Sequence, residues 1–296
     1  MSDVRLHAFP DSLAFAAQLG RAIGVRAARV AVHRFPDGER LVRVRSPAGG
    51  HAVLVHALRD PDARLIETLL AADALRRAGA ARVTLVAPYL PYMRQDRVFT
   101  PGEPISQRVV GALLARAFDR VLTIEPHLHR VGRLSTVLRG GRAVSAAPAI
   151  AAWVRRRGPD VLLVGPDAES LPWVRAIARL AGAPYVIGGK LRLGDHHVRL
   201  RFPVLPPCRR AIVVDDIASS GGTLATAARA LRALGVPRVE AVVVHAIFAP
   251  GARARLRAAG VRTLVSCDTV LHPTNAIPTA PLLAAALGVA RRARAC

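Results

Sequence analysis

The stretch Ala211-Ile212-Val213-Val214-Asp215-Asp216-Ile217-Ala218-Ser219-Ser220-Gly221-Gly222-Thr223, continued by a run rich in alanine and leucine, decides the fold. Residues 211–214 are apolar and mostly β-branched, the pattern of a parallel strand buried on both faces. From 224 to 234 the apolar positions recur at helical spacing. Strand, short loop of small residues and helix together form the repeating step of an α/β sheet. Serines, glycines and a threonine at a helix N-terminus offer unpaired amides and hydroxyls, which with the helix dipole favour a phosphate. Asp215 and Asp216 stand where the strand ends, able to accept hydrogen bonds from sugar hydroxyls or to help hold a divalent cation. Acid pair and phosphate loop point to a phosphorylated sugar. The plainer alternative is a strand-to-helix turn with an Asp cap.

Working outward, the same step occurs earlier in the chain. Val53-Leu54-Val55, a helix, Gly79-Ala80 and a strand over 83–86 match in order and spacing Ile212-Val213-Val214, a helix, Gly235-Val236 and a strand over 239–244. The expected fold is α/β: two tandem domains, each a mostly parallel sheet flanked by helices with right-handed crossovers. The pattern places an N-terminal half over 1–145 and a C-terminal half over 146–296, with 277–296 expected to pack back on the N-terminal half. Two such domains facing one another would form a cleft suited to two substrates. Local signals predict strands over 4–8, 30–34, 52–57, 83–87, 121–124, 161–164 and 261–265. They predict helices capped by Asp11-Ser12 and by Ser106, a domain boundary around 140–148, and a loop at Ser266-Cys267-Asp268-Thr269.

Five polar segments stand apart from this frame. Phe35-Pro36-Asp37-Gly38-Glu39-Arg40 carries turn chemistry before an alternating strand, hence a hairpin. Pro88 to Asp96, with Arg94 and Gln95, and then Glu103-Pro104-Ile105-Ser106, form a loop too rich in functional groups for a spacer. Glu125-Pro126-His127-Leu128-His129 reads as a metal pair, a proton shuttle or two surface histidines. Asp167 follows a strand directly, the place from which ligand-facing residues or helix caps both project. Finally, Gly188-Gly189-Lys190-Leu191-Arg192 predicts a mobile or tightly turning segment that carries charge onto a ligand. It is not a Walker A loop, because Pro184 and Leu191 stand where that motif needs Gly and Ser or Thr.

Composition narrows the class of partner. The 296 residues are 52% hydrophobic, enough for packed cores, and no apolar run approaches a membrane span. The N-terminus lacks the apolar core of a secretory signal, and three scattered cysteines make neither a metal motif nor a disulfide framework, so a reducing cytoplasm is expected. A formal charge of +23 raises nucleic-acid binding. Against it, the arginines are spread over nearly every helix with no basic tail and no interleaved aromatics, so no specific nucleic-acid partner is expected. Lys190 is the only lysine among 43 basic residues, which marks a codon bias and singles that position out.

Together these stretches resemble the ribose-phosphate diphosphokinase family, over nearly the whole chain. Phe35 to Glu39 resembles its adenine-nucleotide loop, and Tyr89 to Asp96 with Glu103 to Ser106 its Arg-Gln-Asp and Glu-Pro-Ile-Ser element. Thr123 to His127 resembles its metal-site segment, Lys190 and Arg192 its Lys-x-Arg catalytic loop, and Asp215 to Thr223 its ribose-5-phosphate loop. A phosphoribosyltransferase would account for the last of these alone. The resemblance implies two type I phosphoribosyltransferase-like domains and a reaction between MgATP and ribose 5-phosphate, with Mg2+ as cofactor and a homo-oligomeric assembly. It implies ATP-binding roles for Asp37, Glu39, Arg94 and Gln95, and metal roles for His127 and Asp167. Lys190 and Arg192 would be catalytic, while Asp215, Asp216, Ser219, Ser220, Gly221, Gly222 and Thr223 would bind ribose 5-phosphate. A phosphoribosyltransferase and a non-catalytic regulatory relative are the alternatives. Two departures from the family pattern stand out: Glu125 in place of Asp, and Ala168-Glu169-Ser170 in place of a Gly-Gly loop.

Overall fold

The computed structural model describes residues 4–45, 47–128, 131–192 and 198–289. The chain divides into two compact units, one formed by residues 1–145, 269–271 and 279–296 and the other by 146–268 and 272–278.

In the first unit the elements follow as β1 (Val4–Ala8), α1 (Leu13–Ile23), β2 (Ala27–Arg29), β3 (Ala31–Arg34), β4 (Arg40–Arg43), β5 (His51–Val55) and α2 (Pro61–Arg77). Then come β6 (Arg82–Val86), α3 (Ser106–Ala117), β7 (Arg120–Ile124) and β8 (Gly141–Val144). Six of these strands make one sheet in the order β2-β1-β5-β6-β7-β8, every neighbouring pair parallel. Ala52, Val53, Leu54 and Val55 are all fully buried, as a strand covered on both faces requires. Replacing a side chain such as Leu54 by Ala would cost about 2–5 kcal/mol. The expected hairpin is present as β3 and β4, antiparallel with Arg34 opposite Arg40.

The second unit repeats the plan. Its elements are α4 (Ala147–Arg155), β9 (Val161–Gly165), α5 (Leu171–Ala181), β10 (Tyr185–Ile187), β11 (Gly189–Arg192) and β12 (Val198–Arg201). They continue with β13 (Arg210–Ala218), α6 (Gly222–Ala233), β14 (Arg238–Ala246), α7 (Ala252–Ala258), β15 (Val261–Cys267) and β16 (Asn275–Ile277). The main sheet runs β10-β9-β13-β14-β15-β16, again wholly parallel. In both sheets the first strand steps outward to its second and the third then starts on the other side. The point of reversal falls between β1 and β5 in one unit and between β9 and β13 in the other. A last helix, α8 (Ala280–Leu287), belongs to the first unit and packs on α1. Its C-terminal carbonyls accept hydrogen bonds from Arg120 (2.7 Å to Ala286 O, 3.3 Å to Leu287 O) and Arg142 (3.4 Å to Ala286 O). Cations there oppose the negative end of the helix dipole.

Several local expectations fail, each for a tertiary reason. Ser12 does not cap α1: its Oγ accepts the amide of Ala57 at 2.8 Å across the sheet end. Ser106 does not cap α3 either, because its hydroxyl donates to Gln95 Oε1 at 2.5 Å. Ser266 and Cys267 belong to β15 rather than to a loop, held by the edge strand β16. The boundary expected around 140–148 does hold the division between the two units, at Ser145 and Ala146, with the edge strand β8 just before it, paired to β7.

Candidate active site

The second unit builds its site at the C-terminal ends of its strands. β9 stops at Gly165, whereas β13 runs on to Ala218, paired beyond Val213 only with the equally long β14. The strand thus continues four residues past the apolar run that foretold it, and Asp215 and Asp216 lie within it rather than at its end. With β9 ended, the region beside these acids is left to the loop that follows Gly165. Asp167 in that loop is in extended conformation and makes no side-chain cap to the short 3-10 turn at Ala168–Ser170. That turn is held by the amide and hydroxyl of Ser170 on Asp167 O (3.1 and 2.5 Å). A Cβ on Gly188 would come within 2.7 Å of Pro166 O, so glycine is what allows the start of the next segment to pass against the Asp167 loop.

Enclosure, followed by the negative charges of Asp216 and Asp167, pushes Asp215 well above the ordinary carboxylate value of 3.8. A cation close by, or hydroxyl groups donating to it, would favour the ionised form of Asp215.

Next to the acids, residues 219–221 turn the chain into α6. Gly221 is left-handed (φ 72°) and forms the N-cap, the turn for which glycine has no Cβ penalty. Ser220 Oγ accepts the Gly222 amide at 3.4 Å, and Thr223 is exposed in the first turn. The loop carbonyls face away: Ser219 O accepts the Ala249 amide (3.0 Å) and Ser220 O accepts Arg255 Nη1 (2.7 Å).

Lys190 and Arg192 lie on β11, which pairs antiparallel with β12 in a two-stranded ribbon. The expected mobile or tight turn is thus regular extended chain over 189–192, because β12 supplies a ladder of partners. Residues 193–197 of the same segment lie outside the described residues.

In the first unit, Asp37 and Glu39 are exposed at the hairpin tip, where Asp37 Oδ1 accepts the Glu39 amide at 3.1 Å. Arg40 fastens the hairpin to α2 by donating to Glu67 Oε1 (2.8 Å) and to Gly38 O (2.9 Å). In the long loop Arg94 is exposed, whereas the side-chain amide of Gln95 is engaged with Ser106 and, at 3.5 Å, with Glu103. Glu103 also gathers the amides of Phe99 and Thr100 (3.0 Å each), and these bonds hold its carboxyl below the usual range. Tyr92 (φ 62°) and Glu125 (φ 34°) both adopt left-handed backbone, a strained state for such residues that sequence does not signal. Glu125 Oε1 accepts from Ser145 Oγ at 3.2 Å, and His127 is half-buried two residues on. His129 lies outside the described residues.

The first unit's own point of reversal is filled by side chains. Phe9 stacks on His56 at 3.8 Å between ring centres. Thr68 Oγ1 donates to Arg64 O (2.6 Å), so at 2.8 Å it accepts from His56 Nδ1 and fixes that tautomer. Arg64 clamps Asp11 at 2.9 Å. Asp60 stands at the N-cap of α2, left-handed like Gly221 but carrying a carboxylate where Gly221 has no side chain.

Ribose-phosphate pyrophosphokinase from Methanopyrus kandleri is 35% identical over 274 residues, covering 91% of this chain and 94% of the relative. The chain belongs to the ribose-phosphate pyrophosphokinase family. Members from Thermococcus kodakarensis (34%, 89% of this chain and 93% of the relative) and Halobacterium salinarum (35%, 94% and 98%) are similar over the same extent. Residues 4–117 match the model for the N-terminal domain of ribose phosphate pyrophosphokinase, and 203–282 that for the phosphoribosyl transferase domain. Among solved structures, phosphoribosylpyrophosphate synthetase from Mycobacterium smegmatis aligns with a TM-score of 0.83 at 26% identity, covering 97% of this chain and 98% of that one. The family resemblance and the two-domain α/β fold read from the sequence are borne out.

Proposed function

We propose that this protein transfers the β,γ-diphosphoryl group of ATP to the 1-hydroxyl of ribose 5-phosphate, giving phosphoribosyl pyrophosphate and AMP. Family membership across the whole chain supports the reaction. The observation that carries the sugar-phosphate half is the pairing of Asp215 and Asp216 with a loop of outward-turned carbonyls at the N-terminus of α6.

In this reading the ribose hydroxyls donate to Asp215 and Asp216, and the 5-phosphate accepts from the amides and hydroxyls of 219–223. Asp37, Glu39 and Arg94 hold the nucleotide. Gln95, engaged with Ser106 and Glu103, acts through the shape of its loop as well as by contact. The anomeric oxygen attacks the β-phosphorus, the bond from that phosphorus to the α,β-bridging oxygen breaks, and AMP leaves. Lys190 and Arg192 offset the charge that develops on the transferred group.

Magnesium suits the donors available. Asp167, Asp215 and Asp216 are hard oxygen donors, and burial, then the charges of Asp216 and Asp167, raises Asp215. No group of three His, Cys, Asp or Glu side chains is assembled for a metal among the described residues. Asp167 in the second unit and His127 in the first are each assigned a metal-binding role, direct or through water. Bound magnesium would supply charge neutralisation of the phosphates.

No helix among the described residues is long and apolar enough to cross a membrane, and the reading extends to a cytoplasmic enzyme. Exposed Ile66 and Leu70 on α2 with Val109 and Leu113 on α3 support self-association through the first unit. The test is incubation with ATP, magnesium and ribose 5-phosphate, followed by phosphorus NMR. AMP and phosphoribosyl pyrophosphate must appear in equal amounts. Turnover only of phosphoribosyl pyrophosphate with a base would instead identify a phosphoribosyltransferase, and no turnover with any divalent metal a non-catalytic relative.

A further inference from the structure

Three successive residues of the 219–223 loop are held from behind by one segment. Ser219 O takes the amide of Ala249, Ser220 O takes Arg255 Nη1 at 2.7 Å, and the Cβ position of Gly221 lies 3.3 Å from Leu256 Cγ. A trans peptide group is planar, so its carbonyl and the amide hydrogen of the next residue point in opposite directions. Fixing the Ser220 carbonyl on Arg255 therefore aims the Gly221 N–H to the opposite side of that peptide plane. The Ala249 bond does the same for the Ser220 N–H. A guanidinium on the carbonyl also polarises the peptide and strengthens its N–H as a donor. Without it, the 220–221 peptide is free to flip and present a carbonyl oxygen to an anion.

We infer that Arg255 is a positioning residue: it orients the Gly221 amide onto the 5-phosphate of the sugar substrate without touching that substrate. The inference rests on the proposed binding of a sugar phosphate at this loop. Arg255 lies on α7, outside the loop motif, and its guanidinium reaches this carbonyl across 35 residues of chain.

The test is steady-state kinetics on the full chain, with Arg255→Ala and Arg255→Lys beside the parent protein. Losing one charge-assisted bond of this kind predicts a rise of roughly tenfold in KM for ribose 5-phosphate in Arg255→Ala. The kcat and the KM for ATP are expected to stay within about twofold, and Arg255→Lys to recover part of the loss. Calorimetric titration with ribose 5-phosphate alone should show the same weakening. An unchanged KM for the sugar in both variants overturns the inference. So does a parallel loss in kcat and in both KM values with a lowered Tm, which would mark a packing role. Absence of turnover in the parent protein would instead bring down the functional reading itself, which keeps the two failures apart.

Discussion

Glu240 gives the sharpest test of how the second unit is held together. Its carboxylate is fully buried near the N-terminal end of β14, the end of the sheet opposite the acids of the site. Three guanidiniums surround it: Arg238 at 2.7 Å, Arg210 at 3.4 Å and Arg157 at 3.7 Å. The isosteric change Glu240→Gln keeps the packing and removes the one negative charge, leaving three cations in mutual repulsion. Breaking a buried ion pair costs about 3–5 kcal/mol. Here the arginines remain 21–45% exposed and can turn into water, so solvent screening puts the loss at the lower end, about 3 kcal/mol. For a unit of this size that lowers Tm by roughly 6–12 °C. The measurement is thermal and urea unfolding by circular dichroism, with kcat and both KM values taken well below the transition. Kinetics should be unchanged, since no ligand is assigned to that edge. A loss under about 1 kcal/mol, or a kinetic defect with unaltered Tm, would refute the argument that this carboxylate neutralises the arginine cluster.

Asp215 predicts a pH effect of definite sign. Because its folded value is raised, the unfolded chain gives up the proton first as pH climbs past 3.8, and stability falls from there until the folded carboxyl also ionises. Asp215→Asn should remove that fall, visible as a higher urea midpoint at neutral pH, while weakening ribose 5-phosphate binding; equal midpoints at neutral pH would contradict it. His56 has the opposite pattern. Burial, then the charge of Arg64, lowers it to about 3, so stability should drop as pH falls from its ordinary 6.5 toward that value, and His56→Gln should flatten this acid limb of the urea midpoint. Lys190→Ala is expected to cost on the order of 10²–10³ in kcat with ATP affinity kept within a few-fold, read by single-turnover kinetics and nucleotide titration. A fall in nucleotide affinity alone would contradict the catalytic role.

The sequence by itself determined the central strands and main helices of both sheets and the repetition of one α/β plan. Buried parallel strands are written as unbroken apolar runs such as 211–214, and the Gly-Gly-Thr turn into α6 is local chemistry. It also named the acids and the phosphate loop, because those side chains are uncommon at the end of such a run. What depended on distant partners was not legible. Ser12 and Ser106 read as caps, yet Ala57 and Gln95 offered better partners from across the fold. Asp215 and Asp216 read as the end of the strand, yet pairing with the long β14 carries the strand on to Ala218. The left-handed backbone of Tyr92 and Glu125, the bond from Arg255 to Ser220 and the arginines gathered on Glu240 leave no mark in a chain where arginine is everywhere. A local preference is worth a few tenths to about 1 kcal/mol, less than a buried hydrogen bond or charge left without a partner, so the tertiary contact wins wherever the two disagree.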